Sequence, residues 1–156
     1  MLFRSGFSLE FSKEVYEETE KLPLLIDEKE VAKRIDFRNT LTFTIDPVDA
    51  KDFDDAISIK KITKDLFEIG VHIADVSYYV SPKTKLDEEA FNRATSVYLP
   101  DRVCPMLPEK ISNELCSLRP HEDKYTFSAV FEITSKAVIK KTTLCRTAIH
   151  SNHRYT

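Results

Sequence analysis

Polar and apolar residues change their period along this chain, and the changes mark out its elements. Ser12 is placed to cap a short helix running to about Lys21, with acid in its first turn and Val15, Thr19 and Leu22 on one side. Pro23 stops it. A second helix is expected from Asp27, with Glu28 and Glu30 early and Lys33 and Arg34 late, the charge order that suits a helix dipole. From Leu41 the period becomes two. Thr42 to Ile45 alternate polar and apolar, Ala56 to Ile59 resume the alternation, and Phe67, Ile69, Val71 and Ile73 line one face of a further strand. Helical spacing returns at Leu86, Ala90 and Ala94, and Pro100, Pro105 and Pro108 then forbid regular structure through a segment apolar enough to be packed. Tyr125, Phe127, Ala129, Phe131 and Ile133 form a second alternating strand. Ser135 and Lys136 turn it into another, from about Val138 to Ile149. The pattern predicts an α+β fold, mainly antiparallel sheet with short flanking helices. Residues 1–40 read as a helical lead-in and 41–156 as the sheet-bearing part.

Composition narrows the classes. At 156 residues, 42% hydrophobic and 31% charged, the chain has material for one core. A net charge of −3 argues against a surface that attracts polyanions as a whole. Nucleic acid would have to be met locally. With only Gly6 and Gly70, neither a Gly-rich phosphate loop nor a dinucleotide fingerprint is available. Cys104, Cys116 and Cys145 are widely spaced, without zinc-ligand spacing, and read as reduced core thiols of a cytoplasmic protein. No run approaches the roughly 20 apolar residues of a membrane helix, and residues 1–5 lack the apolar core of a signal peptide.

The chemistry is concentrated between residues 44 and 56, where Asp46, Asp49, Asp52, Asp54 and Asp55 are offset only by Lys51. Carboxylates this close repel one another, and burying them without a counter-charge is costly. In an extended strand Asp52 and Asp54 share a side while Asp55 points away, and Asp46 joins them if the chain turns back after Pro47. Burial of Ile45, Phe53, Ala56 and Ile57 would draw the carboxylates inward. Such a cluster can bind hard divalent cations, and two ions about 4 Å apart would serve an in-line phosphoryl displacement. A solvated acidic loop and a structural calcium site remain open on spacing alone, although the glycine and final glutamate of an EF-hand loop are missing.

Further motifs follow in order: Gly70 to Val80, Arg93 to Pro100, Pro105 to Pro108, and Ser112 to Leu118. With the acidic run, they closely resemble the RNB catalytic domain of the ribonuclease II / ribonuclease R family, from about Leu9 to the end of the chain, and the helical lead-in favours the ribonuclease R branch. The resemblance implies a processive 3′-to-5′ exoribonuclease that releases nucleoside 5′-monophosphates with Mg²⁺ or Mn²⁺. It places the family's four acidic positions on Asp46, Asp52, Asp54 and Asp55 as metal ligands, with Asp54 and Asp55 catalytic and Asp49 outside the set. It puts Tyr98 against the terminal RNA bases, where stacking is sequence-tolerant, with packing between Val97 and Leu99 as the plain alternative. Arg93 is a candidate phosphate contact or an ordinary helix arginine. His72 reads as a hydrogen-bonded structural histidine. The implied partner is the 3′ end of single-stranded RNA, met by a monomeric full-length protein with no membrane.

The family's catalytic domain runs on past residue 156 and is flanked by OB-fold modules. This chain is therefore expected to be a fragment holding the metal half of a site, weak or inactive alone. Two rivals stay in view. One is an RNA-binding scaffold that kept the fold and lost the chemistry, and the other is a metal-dependent phosphodiesterase acting on small nucleotides.

Overall fold

The computed structural model describes residues 8–156. The stretch at residues 1–5, read against a signal peptide, and Gly6 lie outside them. Helix α1 spans Lys13–Glu20, and Ser12 caps it by accepting a hydrogen bond from the Val15 amide at 3.4 Å. Helix α2, Glu28–Val31, is a single turn capped by Asp27. It ends before Lys33 and Arg34, so the expected dipole pairing with both does not arise. Arg34 instead turns inward. Its Nη1 meets Asp75 Oδ2 at 2.7 Å and its Nε meets Glu30 Oε1 at 3.0 Å, with the guanidinium 4.4 Å from the Tyr125 ring centroid. Phe11, Val15, Val31 and Phe37 share one buried cluster with Ala56, Leu115, Leu118 and Ile149. The residues expected to form a lead-in are therefore built into the core itself.

Strands β1 (Ile35–Asp36), β2 (Thr42–Ile45), β3 (Asp55–Lys61) and β4 (Leu66–Ala74) follow. Between β4 and the next long strand come α3 (Val76–Tyr79), α4 (Lys85–Arg93), a small ladder of β5 (Val97–Tyr98) and β6 (Val103–Cys104), and a π-helical turn, Lys110–Leu115. The proline-rich stretch is only partly packed: Leu107 is buried but Val103 is exposed, and the β5–β6 ladder, whose second strand fits between Pro100 and Pro105, overturns the expectation that the prolines exclude regular structure. Strands β7 (Asp123–Thr134), β8 (Ile139–His150) and β9 (His153–Tyr155) complete the fold. The main sheet has the order β1-β8-β7-β4-β3-β2-β9, parallel only at its outermost pairs, β1 with β8 and β2 with β9. The architecture is α+β with a mainly antiparallel sheet.

Strand order fixes the sheet's shape. Five strand intervals separate β8 from β9, about 24 Å if the sheet were flat. Only Ser151 and Asn152 join them in sequence, a reach of about 11 Å from His150 to His153. The sheet must curl. Asn152 closes it, with its amide donating to the Thr42 carbonyl at 2.7 Å and its Oδ1 accepting from the Thr42 amide at 2.9 Å.

Curling gives the sheet an inner and an outer face, and the large apolar residues of the alternation lie on the outer one. The inner face carries Thr42, Thr44, Ala56, Ser58, His72, Thr126, Ser128 and Thr147, all buried. The outer face carries Ile57, Ile59, Ile69, Val71, Ile73, Phe127, Phe131 and Leu144, with Ile73 and Phe127 about half exposed and Leu144 69% exposed. A narrow barrel interior accepts small side chains and is filled by them. Their hydroxyls then need partners. His72 serves four of them: Nε2 bonds Ser58 Oγ at 2.8 Å and Nδ1 bonds Ser128 Oγ at 2.6 Å, and Thr147 Oγ1 continues the chain to Thr126, while Thr42 Oγ1 donates to the Thr40 carbonyl. Burial pulls the imidazole down to a pKa of about 4, so it is neutral at physiological pH. Gly70 makes room for it, since a Cβ there would lie 2.5 Å from both His72 Nε2 and Ser58 Oγ.

Candidate active site

The acidic segment lies where β2 leaves the sheet and β3 re-enters it. The Asp46 amide donates to the Tyr155 carbonyl at 3.0 Å, and Pro47 to Ala50 form a turn closed by an Ala50 to Pro47 hydrogen bond. Phe53 is the anchor. Its ring is buried, and its flanking neighbours Asp52 and Asp54 are thrown to the opposite side. Ser117, fully buried, accepts a hydrogen bond from the Phe53 amide and donates one to the Lys51 carbonyl, each at 3.1 Å. The Leu118 amide bonds the Phe53 carbonyl at 2.8 Å, and the Ala74 amide bonds the Asp54 carbonyl at 3.0 Å. Arg154 closes the other side, donating to the Pro47 and Val48 carbonyls at 2.6 and 2.9 Å with its guanidinium over the Phe53 ring. Of the four apolar residues expected to draw the loop inward, Phe53 and Ala56 are buried and Ile57 partly so. Ile45 is 62% exposed, because it belongs to the outer face.

Repulsion among the aspartates is felt at Asp54. The Asp54 carboxyl is raised above the ordinary carboxylate range, first by desolvation and then by the negative charges of Asp52, Asp55 and Asp46. Asp49 is exposed on the turn and does not act on Asp54. Tyr98 reaches the same place, its hydroxyl donating to Asp52 Oδ2 at 3.1 Å. That bond, partial burial and the charges of Asp52 and Asp54 raise the phenol above its usual value. Its side chain is 68% exposed, so packing between Val97 and Leu99 is not its role.

Arg93 stands apart. Its guanidinium bonds Glu89 Oε1 at 2.8 Å and the carbonyls of Ser8, Pro105 and Glu10 at 2.8, 3.1 and 2.7 Å, and lies 3.9 Å from the Phe11 ring centroid. With its donors so engaged, it ties the N-terminal segment to α4 instead of offering a charge to phosphate. Beside Asp52 and Tyr98 runs a cleft of about 710 Å³, whose walls include Lys51, Arg102, Ser112 and Asn113.

Among the described residues no group of three or more His, Cys, Asp or Glu side chains is drawn close enough to cage a metal ion. The donor set nonetheless fits a hard cation that keeps most of its waters, since Mg²⁺ is commonly held by only one or two carboxylates. One carboxylate oxygen, Asp46 Oδ2, is buried without a hydrogen-bond partner. A cation is the partner such an oxygen lacks.

The motif order and this carboxylate geometry agree with a family-wide match: the RNB domain profile covers residues 34–156. The chain belongs to the RNB family. Among its relatives are ribonuclease R 1 of Lactococcus lactis subsp. lactis, 46% identical over 94% of this chain and 18% of that protein, and DIS3-like exonuclease 2 of Xenopus tropicalis, 52% identical over 76% of this chain and 14% of that protein. The structure superposes on Mycoplasma genitalium RNase R in complex with double-stranded RNA with a TM-score of 0.90 and 34% identity, covering 99% of this chain and 27% of that one. This RNB chain thus spans about a fifth of the length of the curated relatives it matches. No helix among its described residues is long and apolar enough to cross a membrane.

Two residues that hold the acidic segment escape the acidic pattern. Ser117 lies in a recognisable motif, Ser112 to Leu118, but nothing there says that its hydroxyl grips residues 51–53. Arg154 carries no signal at all, because its partners lie more than 100 residues earlier.

Proposed function

We propose that this chain carries the metal-binding part of the active site of an exoribonuclease that hydrolyses single-stranded RNA from its 3′ end and releases nucleoside 5′-monophosphates. The observation that supports it is that Asp52, Asp55 and Asp46 lie near enough to Asp54 for their charges to raise its carboxyl, beside an exposed Tyr98 bonded to Asp52. Divalent cations, Mg²⁺ or Mn²⁺ acting as a pair, would supply Lewis acidity at the phosphoryl oxygens and a more acidic bound water. Asp46, Asp52, Asp54 and Asp55 would hold them. Asp54 and Asp55 also orient the attacking water by hydrogen bonding. Tyr98 presents its ring to the terminal base, and its bond to Asp52 fixes that ring relative to the carboxylates. The protein works as a cytoplasmic monomer in its full-length form. The isolated chain, a fragment, is weakly active or silent, because the remainder of the RNA channel lies in the other four-fifths of such proteins.

A chimera in which this chain replaces the matching segment of the Lactococcus ribonuclease R 1 is expected to release 5′-monophosphates from single-stranded RNA with Mg²⁺. Asp54→Asn should slow that release by about 100-fold or more. Undiminished cleavage by the Asn variant would remove Asp54 from the mechanism. A chimera that binds RNA but neither binds Mn²⁺ nor cleaves would favour a scaffold.

A further inference from the structure

We propose that Ser117 and Arg154 are positioning residues that act as a two-sided brace on the acidic segment, fixing the placement of Asp52 and Asp54 relative to Asp46. The proposal rests on the reading of the aspartates as cation ligands. Asp46 and Asp52 lie on separate stretches of backbone, joined by the turn from Pro47 to Lys51, whose internal Ala50 to Pro47 hydrogen bond touches neither of them. The brace comes from outside. Ser117 holds the backbone on both sides of Asp52: the Lys51 carbonyl just before it and the Phe53 amide just after it, each at 3.1 Å. With the Leu118 amide on the Phe53 carbonyl at 2.8 Å, three consecutive peptide groups are pinned, and the Asp52 and Asp54 side chains have one direction in which to leave.

Arg154 spans the two stretches. Its Nη2 bonds the two carbonyls that follow Asp46, at 2.6 and 2.9 Å, while its guanidinium plane lies 4.7 Å from the centroid of Phe53, the residue between Asp52 and Asp54. One planar group therefore touches the chain just after the first carboxylate and the side chain between the next two. A guanidinium joins a donor that reaches both carbonyls to a planar face that stacks on an aromatic ring. Neither residue needs to touch a cation or RNA to matter. Residues that orient metal ligands without binding metal typically change metal affinity about 10- to 100-fold when removed.

The test uses the whole chain with Mn²⁺ as the probe, followed by water-proton relaxation, and ¹³Cγ resonances of the aspartates at pH 7. Ser117→Ala and Arg154→Met should each weaken Mn²⁺ binding about tenfold or more and displace the Asp52 and Asp54 carboxyl resonances, with the circular dichroism of the fold retained. Arg154→Lys, which keeps the charge and one donor but not the stack, should fall between wild type and Arg154→Met. Ser128→Ala is the control, since it removes an equally buried hydroxyl from the distant His72 network. It should lower the melting temperature while leaving Mn²⁺ affinity within about twofold. Unchanged affinity and unchanged carboxyl resonances in Ser117→Ala and Arg154→Met overturn the brace, as does an equal loss in Ser128→Ala. Should Ser117→Ala fail to fold, Arg154→Met decides by the same two readings. A wild-type chain that takes up no Mn²⁺ counts against the functional reading, and the brace is then decided by the carboxyl resonances alone.

Discussion

The two faces of the curled sheet obey opposite rules. The inner face is built largely of threonine, serine and alanine around one histidine, with Val130 and Ile149 beside them, and it is buried. The outer face is made of isoleucine, valine, phenylalanine and leucine, and much of it meets solvent. Size explains the inversion. Inside a tightly curved sheet there is no room for Phe or Ile on every strand, so hydroxyls fill the space and bond one another through a single imidazole. On the outside, large side chains widen the surface without crowding. The lesson is that hydrophobicity alone does not assign the interior of a sheet whose curvature limits volume.

The inner face should be the more fragile of the two. The largest effect is expected from Gly70→Ala, whose methyl would press on His72 and Ser58 in a region with no space to yield. We expect a loss of about 3 kcal/mol, read from urea unfolding. A wild-type-like midpoint would show the inner face to be looser than its hydrogen bonds imply.

Acid should open the same face from within. His72 has a folded pKa of about 4 against an ordinary value of 6.5, so between these values the unfolded chain binds the extra proton and the folded chain does not. Its contribution is complete above pH 6.5 and falls away as the pH drops toward 4. At pH 5 the loss should be about 2 kcal/mol, with the His72 ring resonance still that of a neutral imidazole. A ring that titrates near 6.5 without loss of stability would sink the account.

The outer face should barely respond. Leu144→Lys is expected to shift stability by no more than about 0.5 kcal/mol, while reducing binding of a hydrophobic dye and self-association at high concentration. A loss several times larger would mean that Leu144 is buried in solution.

Much of this was legible in advance, and what was missed shares a cause. Ser12 and Asp27 cap their helices because capping is decided within three residues. The alternation of β3, β4, β7 and β8 is likewise local, so the strands were visible. Which face points inward is not local. Period-two alternation is symmetric between faces, and the choice depends on closure at Asn152 and Thr42, 110 positions apart. The same division holds at the acidic site. The gathering of aspartates within ten residues was plain. Arg93 looked available because its carbonyl partners at Ser8, Glu10 and Pro105 are invisible to spacing. Ser117 and Arg154 act through backbone groups far away in sequence.

The closure of the sheet also sets a timetable. Asp46 receives its backbone partner from Tyr155, and the turn after it is gripped by Arg154, 107 positions beyond Pro47. Contacts of that span carry a large loop-closure cost and form late. As the chain leaves the ribosome, Asp46, Asp52, Asp54 and Asp55 emerge early but stay unassembled until β9 has been made and has docked beside β2. The acidic segment therefore takes its folded form only once Arg154 and Tyr155 have been made.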